Sequence, residues 1–335
     1  MPKPIRTLLA DLALPEIPTT DIIGSPGRDS VVYVGTNTTG YEICDTRLVI
    51  MDNGRAGLVT VNTDPAKKRW PVMGDMLVSG CIIEAKPRDN KSKWGLRRYG
   101  LSGDCVTTET IIRNLGLEHA IYDEVFGGHH IYSHLWLDNC GAQGLQLRIT
   151  EQPAKLSPHY LDDRYIEIRD VVVSECGQAR GAGRAGFGIS IKDMGPNTEV
   201  YMARVAVQTV KQRNVKSKPE GYTGFVPDSF GAICVEYVGK LIIDNCYVSM
   251  LNPANFGVQL FDKAVKTLKG GSPKEVHIDG LDLDNQVVAL RCDDTEVVRI
   301  TNTRGTGQIR LMRFDAAARV WKFWKALPWA PYSQG

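Results

Sequence analysis

The clearest pattern along the chain is a repeated strand signature. A small residue is followed by an apolar residue, a variable residue and a second, usually apolar residue. This signature begins at Gly95, Ala120, Gly144, Gly188, Ala232, Gly257 and Val287, and at spacings of 25, 24, 44, 44, 25 and 30 residues. Alternation of apolar and variable positions predicts β-strands with one buried face. A recurring unit of 24 or 25 residues is typical of one coil of a β-helix.

A second motif precedes several of these strands. Asn114 and Asn139 each follow an apolar residue by two positions, and Glu175 occupies the same phase. Asn285 and Asn302 match the motif more loosely. Asparagines stacked in successive coils can form a ladder of side-chain amides parallel to the solenoid axis. Further alternating runs lie between the two motifs, and they predict three short strands in each coil.

The predicted fold is therefore all-β, a right-handed parallel β-helix over residues 45–313. We expect residues 1–44 to form an N-terminal cap, with a short amphipathic helix around Leu8, Leu9 and Leu12. Residues 314–335 would close the last coil with aromatic side chains. These aromatic residues are Trp321, Phe323, Trp324, Trp329 and Tyr332. Two spacings of 24 and 25 residues argue against a propeller, and a β-sandwich predicts no fixed phase.

The pattern resembles the pectin-lyase-like β-helix superfamily over roughly residues 45–313, at the level of the fold. The catalytic motifs of its pectate lyases and polygalacturonases are not matched, although the Asn62-Thr63-Asp64 and Asp293-Asp294 segments echo polygalacturonase fragments in another context. The resemblance implies action on a carbohydrate polymer. β-Helix lyases use a basic side chain, sometimes with calcium, so calcium is a possible cofactor and no other is expected.

Composition and charge limit the partners. The chain has 335 residues, with 40 basic and 38 acidic side chains and a net charge of +2. Near-neutrality argues against a dedicated nucleic-acid binder, and no apolar stretch is long enough to predict a membrane span. The N-terminus has no signal-peptide pattern, so we expect synthesis in the cytoplasm, while a virion-associated or released location stays open. The eight cysteines form no Cys-x-x-Cys pair and are predicted to be mainly buried free thiols.

The two enlarged coils carry basic loops. Arg180 and Arg184 lie in the first insertion, and Lys211 and Arg213 lie in the second. Both insertions enter at the same corner of neighbouring coils, so they should project over one rim of the strand face. A basic rim would attract an acidic polymer, although lysines also serve simply to keep loops soluble.

The register of the repeat predicts which side chains face outward. One row contains Tyr122, Gln146, Ser190, Cys234, Gln259 and Ala289, and the next contains Glu124, Arg148, Lys192, Glu236, Phe261 and Arg291. Adjacent coils stack at ~4.8 Å, so Arg148 and Lys192 could contact one sugar ring together. Gln146, Glu236 and Tyr160 are further candidates for substrate binding.

For cleavage of a uronate polymer by β-elimination, the chain offers a cation, a base and an acid. Arg148 would bind the carboxylate in a two-pronged contact, and Lys192, among other cations, would act as base with a lowered pKa. Tyr122, His159 or Tyr160 would be the acid.

Several alternatives stay open. The charged row could be an ion-pair ladder with no catalytic role. A glycoside hydrolase would need two carboxylates ~5–9.5 Å apart, whereas Glu124 and Glu236 are three coils, or ~14 Å, apart. A non-catalytic glycan-binding or structural protein, such as a viral appendage, is also possible, as a monomer or homotrimer. His129, His130 and His134 cluster in sequence, but no acidic ligand stands at metal spacing, so no metal site is predicted.

Overall fold

A computed structural model of the chain describes most of the residues predicted to form the repeat. The described residues are 12, 20–24, 30–35, 38–51, 54, 56–60, 73–86, 93–116, 118–149, 159–176, 188–209, 231–250, 256–260, 273–284, 288–293, 295–305, 308–315 and 320–327. The proposed capping helix, apart from Leu12, lies outside them, as do Trp329 and Tyr332. In the described part of the chain, no helix is long and apolar enough to cross a membrane.

The repeated signature forms one parallel sheet, here named sheet 1, with 11 strands. Its strands are β2 (Ser30–Val34), β5 (Ala56–Thr60), β8 (Trp94–Leu101), β10 (Ile121–Val125), β12 (Leu145–Arg148), β14 (Ile189–Lys192), β16 (Gly231–Val235), β19 (Phe256–Leu260), β22 (Val288–Asp293), β25 (Gln308–Asp315) and β26 (Val320–Leu327). All neighbouring strands in it run parallel except β25 and β26, which are antiparallel. Within the described residues, this single reversal marks the end of the parallel stacking.

The remaining strands form sheet 2, with 15 strands. They are β1 (Thr20–Ile23), β3 (Tyr41–Cys44), β4 (Thr46–Ile50), β6 (Met76–Ser79), β7 (Ile82–Ala85), β9 (Cys105–Arg113), β11 (Gly128–Asp138), β13 (Arg164–Cys176), β15 (Gly195–Thr209), β17 (Val238–Asp244), β18 (Tyr247–Met250), β20 (Glu275–Asp279), β21 (Asp282–Asp284), β23 (Val297–Thr301) and β24 (Arg304–Gly305). Because the chain alternates between two parallel sheets, the fold is a parallel β-solenoid. Strands β1 to β3 already pair within the sheets, so parallel stacking begins before residue 45.

A column of residues with positive φ folds sheet 2 into two faces. One such residue stands in each coil, either inside a long strand or between two short ones. The column contains Asp45, Gly80, Glu109, His134, Asp170, Arg204, Asn245, Gly280 and Asn302. Each coil therefore contributes three short strand segments, as the alternating runs predicted.

The predicted register is confirmed for most of sheet 1. Leu145 pairs with Ile121 and with Ile189, and the same row continues through Ile233 to Val258. The inward side chains of these strands are buried. The prediction for the last repeat is wrong by two residues, because Val258 pairs with Leu290 rather than with Val288. Arg291 consequently stands beside Gln259 and not beside residue 261.

The asparagine motif is also confirmed where it was strongest. Asn114 and Asn139 have positive φ angles at the ends of β9 and β11, and Glu175 has the same conformation near the end of β13. The Asn139 amide donates a 2.8 Å hydrogen bond to Oδ1 of Asn114. Asn302 belongs instead to the column inside sheet 2, so its assignment to this motif is corrected.

Candidate functional site

The outer face of sheet 1 brings together most of the site residues predicted from the sequence. Tyr122 and Gln146 are register partners on β10 and β12, and Arg148 and Lys192 are register partners on β12 and β14. Glu236 follows β16 and donates its backbone N–H to the Ile191 carbonyl oxygen at 2.8 Å. The predicted rows are therefore present, and they extend across successive coils.

Lys192 is held as an ammonium beside a carboxylate. Its Nζ lies 3.9 Å from Oε1 of Glu236, and its side chain is 16% exposed. Burial alone would lower the pKa of Lys192, but the surrounding acidic groups, of which Glu236 has the largest effect, together outweigh burial and raise that pKa. The prediction of a lowered pKa is therefore wrong. Lys192 is suited to neutralising charge and unsuited to the role of general base.

Arg148 occupies the same row with one nitrogen lacking a partner. Its register neighbours are Glu124 and Lys192, and its side chain is partly exposed. Within the described residues, the Arg148 Nε is buried and has no hydrogen-bond partner. This guanidinium is therefore not saturated by the ion-pair ladder that was considered as an alternative, although the pair of Lys192 and Glu236 belongs to such a ladder.

An aromatic group on β8 and β10 adjoins the charged row and was missed from the sequence. The Arg97 guanidinium carbon lies 4.3 Å from the centroid of the Trp94 ring, and Arg97 Nε donates a hydrogen bond to the Tyr99 hydroxyl. The ring centroids of Tyr99 and Tyr122 are 5.9 Å apart. Tyr122 donates a 3.3 Å hydrogen bond to Glu124 Oε1. Continuing the alternation of the repeat from Arg97 to Tyr99 would have predicted this group.

Asp193 is a second residue that the sequence did not single out. It follows β14 directly, has a φ of 56° and is partly exposed. Burial and the charge of Glu236 raise the pKa of Asp193. Aspartate is one of the few residue types that tolerate this backbone conformation, which is the only sequence signal for the position.

His159 and Tyr160 lie beyond the carboxyl ends of the sheet 1 strands. The His159 ring stacks on Phe126 at 4.5 Å, and its Nδ1 lies 2.9 Å from Oδ2 of Asp162. Tyr160 is buried and stacks on Tyr237 at 5.4 Å. Both side chains therefore flank the end of the outer face.

Several predicted residues are less accessible than expected, or lie outside the description. Gln146 and Glu236 are 7% and 5% exposed, so only a small part of either side chain is accessible on this face. The accessible residues in and beside the charged row are Trp94, Arg97, Tyr122, Arg148, Lys192 and Asp193. The basic rim cannot be placed, because Arg180, Arg184, Lys211 and Arg213 lie outside the described residues.

The three neighbouring histidines do not form a cluster. His129 lies on the outer face of sheet 2, 3.9 Å from Glu167, whereas His130 is fully buried. His134 is the corner residue of its coil and lies 3.9 Å from Asp170. Among the described residues, no group of three or more His, Cys, Asp and Glu side chains could hold a metal ion.

The charged cluster around Glu84 has its hydrogen bonds satisfied internally. Glu84 is 2% exposed and contacts Arg47, Lys86 and Arg113. Burial raises the pKa of Glu84, but these three cations outweigh burial and lower it to about 2. Because its carboxylate is saturated by neighbouring cations, this cluster is a structural network and is a weaker candidate for a binding site than the Arg148 row.

Comparisons of the chain with protein-family models, with curated proteins and with solved structures found no match.

Proposed function

We propose that the outer face of sheet 1 binds an acidic, uronate-containing polysaccharide. The observation that carries the proposal is Arg148, whose buried Nε has no partner among the described residues. An unpaired buried donor costs free energy, so a ligand that supplies an acceptor is favoured. A carboxylate fits best, because a guanidinium and a carboxylate form short, charge-assisted hydrogen bonds.

The neighbouring aromatic group supports a sugar polymer as the ligand. Trp94 and Tyr122 are partly exposed on the same face, and their rings can pack against the apolar side of a sugar. Arg97 stacks on Trp94 and adds a second cation. Successive coils repeat at ~4.8 Å along the axis, so a polymer lying parallel to the axis would meet one accessible side chain after another.

Cleavage by β-elimination is part of this proposal, with revised roles. Lys192 and Arg148 would neutralise the uronate carboxylate, because the raised pKa of Lys192 keeps it charged. His159 would then remove the ring proton next to the carboxylate, and Tyr122 would donate a proton to the leaving oxygen. Calcium would be an additional cation for the carboxylate.

A hydrolytic reaction is a second candidate, favoured by one observation. Asp193 and Glu236 stand on neighbouring coils, and the pKa of Asp193 is raised by burial and by Glu236. A pair of carboxyl groups, one of which has a raised pKa, is the arrangement that glycoside hydrolysis requires. Asp193 would protonate the leaving oxygen, and Glu236 would act as base or nucleophile.

The finer description of the fold belongs to the same proposal. Right-handed winding is the rule for parallel crossover connections. We propose it here, together with membership of the pectin-lyase-like superfamily and caps at both ends of the solenoid.

A glycan-binding or structural role without catalysis, as a monomer or homotrimer, is the principal alternative.

The test is a panel of polyuronates, with neutral polysaccharides as references. β-Elimination would produce the ultraviolet absorbance of an unsaturated uronate, whereas hydrolysis would produce new reducing ends without that absorbance. Binding without either product would indicate a binding protein. If the protein binds no polyuronate more tightly than the neutral references, the proposed function is wrong.

Two sets of variants locate the site. Arg148→Lys retains the positive charge but loses the two-pronged hydrogen bonding of the guanidinium group, so we expect binding to weaken about tenfold. Arg204→Lys changes an exposed arginine of sheet 2, so it is the matched control and should bind normally.

A second set of variants tests the basic rim. Replacing Arg180, Arg184, Lys211 and Arg213 with Ser should weaken binding and reduce its salt dependence, if the basic rim recruits the polymer.

A further inference from the structure

Ser190 is a buried hydroxyl on the proposed binding face without a partner. It lies on β14, between Gln146 of β12 and Cys234 of β16 in the register of sheet 1. Ser190 is 0% exposed, and its Oγ has no hydrogen-bond partner among the described residues. A buried hydroxyl left unpaired costs free energy, so such groups are rare in folded proteins.

The other buried serines in the described part of the chain are satisfied. Ser133 Oγ lies 2.9 Å from Thr108 Oγ1, and Ser174 Oγ donates to Asp138 Oδ1 at 2.6 Å. Both belong to sheet 2. The unpaired hydroxyl is therefore a specific feature of the sheet 1 face and is not a general property of serines in this solenoid.

Within the described strands of sheet 1, Arg148 Nε and Ser190 Oγ are both unpaired, and the two residues are neighbours. Arg148 is the register partner of Lys192, and Ser190 precedes Lys192 by two residues on the same outer face. Ser190 and Arg148 are thus diagonal neighbours on adjacent strands, at a separation of ~7–8 Å that a long side chain can span. One small ligand group could accept hydrogen bonds from both.

We propose that Ser190 Oγ and Arg148 Nε together bind the carboxylate of one uronate residue, so that Ser190 determines specificity. This inference rests on the proposed function and names its recognition element. A planar carboxylate has two oxygens, which match the two donors. A sulfate ester would leave a third oxygen without a donor in this pair, and a dianionic phosphate would be disfavoured because Glu124 and Glu236 flank the two cations.

The experiment compares wild-type protein and Ser190→Ala by titration calorimetry with oligogalacturonate, its methyl ester and a sulfated galactan oligomer. Wild type should bind the free acid most tightly. Ser190→Ala should weaken binding of the free acid about tenfold, or about 1.4 kcal/mol. The variant should bind the methyl ester as wild type does, because the esterified group is no longer a charged acceptor.

Ser133→Ala is the matched control. It removes a buried serine with an internal partner, so it should lower the melting temperature and leave binding unchanged. Ser190→Ala should keep or raise the melting temperature, because it removes an unsatisfied group. This pair of outcomes separates recognition from a general effect of losing a buried hydroxyl.

The result that overturns the inference is equal affinity of wild type and Ser190→Ala for the free acid. The Ser190 hydroxyl would then be unpaired or hydrogen-bonded to water. The proposed function would still be supported by the affinity of the wild-type protein for the free acid. Equal affinity of wild type for the acid and for its ester would also overturn the inference. Absence of any polyuronate binding by wild type would instead reject the proposed function itself.

Discussion

Several of the described residues that follow a left-handed corner share one hydrogen-bonding role. At seven corners, a threonine or cysteine donates its side-chain hydrogen to the carbonyl two residues earlier, across the residue with positive φ. The donors are Thr46, Cys81, Thr110, Cys140, Cys176, Cys246 and Thr303, at distances between 2.7 and 3.4 Å. The corner turns this carbonyl away from strand pairing, and the side chain satisfies it. Four of the eight cysteines are thus explained as corner residues rather than as ligands or disulfide partners.

Substitutions of Cys81 test this role. Cys81→Thr should keep the hydrogen bond to the Ser79 carbonyl and should change the melting temperature little. Valine has nearly the same shape as threonine but no hydrogen-bond donor. We therefore expect Cys81→Val to be less stable than Cys81→Thr by about 1 kcal/mol in the free energy of unfolding. Chemical denaturation of the two variants measures the difference. Equal stability would show that the carbonyl does not depend on the side chain.

His130 makes stability depend on pH. Its side chain is fully buried, with Nε2 at 2.6 Å from the Gly127 carbonyl oxygen, and burial lowers its pKa to about 4. The unfolded chain takes up a proton near pH 6.5, whereas the folded protein does so only near pH 4. Stability from the neutral ring is therefore complete above pH 6.5 and is lost as the pH falls towards 4.

A His130→Gln variant should reduce that loss, because glutamine can still donate to Gly127 and does not titrate. Thermal melting between pH 7 and pH 4 provides the measurement, with a slope of at most ~1.4 kcal/mol per pH unit from one group. An unchanged pH profile in the variant would assign the acid sensitivity to other groups.

At the scale of the strand, the small residue that begins each repeat has a steric origin. A Cβ added to Gly95 would lie 2.4 Å from the Ile112 side chain and 2.4 Å from the Ala120 carbonyl oxygen. A Cβ on Gly57 or Gly144 would meet the facing strand of sheet 2 in a similar way. The strand of sheet 1 therefore begins where the backbone passes closest to the opposite wall. The small residue was visible in the sequence, but its reason was not.

Gly95→Ala should accordingly lower the melting temperature, since a backbone carbonyl cannot move as a flexible side chain can. Gly35→Ala is the matched control, because its nearest atom would be Thr38 Oγ1 at 3.8 Å and its φ is not positive. We expect Gly35→Ala to be neutral or slightly stabilising. Comparable melting temperatures for the two variants would contradict the steric explanation.

At the scale of the whole molecule, the sequence predicted the stacking well and the chemistry poorly. Alternation of apolar and polar residues identifies the buried face of a strand without knowledge of the neighbouring strands. The register from Leu96 to Val258 could therefore be predicted from the sequence. Charge states depend on which neighbours the coils bring together. The repeat placed Lys192 and Glu236 in one row, but the separation of their charged atoms and their burial, which determine the pKa of Lys192, could not be predicted. The unpaired Ser190 is likewise a property of packing, and no local pattern marks it.

The solenoid interior also contains a polar brace that the sequence did not reveal. Arg98 and Asp123 point inward from sheet 1, are 0% exposed and form two hydrogen bonds of 2.9 and 2.6 Å. Thr107 and Tyr132 of sheet 2 complete the network, with Tyr132 donating to Asp123 Oδ2 at 2.6 Å. An arginine and an aspartate at inward positions interrupt the apolar alternation, so the sequence pattern does not indicate that they are buried together. In the structure they connect the two walls of the solenoid.

Removing one partner of this brace should be more damaging than removing both. Arg98→Met leaves the Asp123 carboxylate buried without its cation, and we expect a loss of about 3–5 kcal/mol in the free energy of unfolding. The double variant Arg98→Met/Asp123→Leu replaces the pair with apolar side chains and should recover much of that loss. Denaturant titration of both variants and wild type completes the comparison. If the double variant is at least as unstable as Arg98→Met, the apolar pair does not replace the ion pair, and the polar brace contributes net stability of its own.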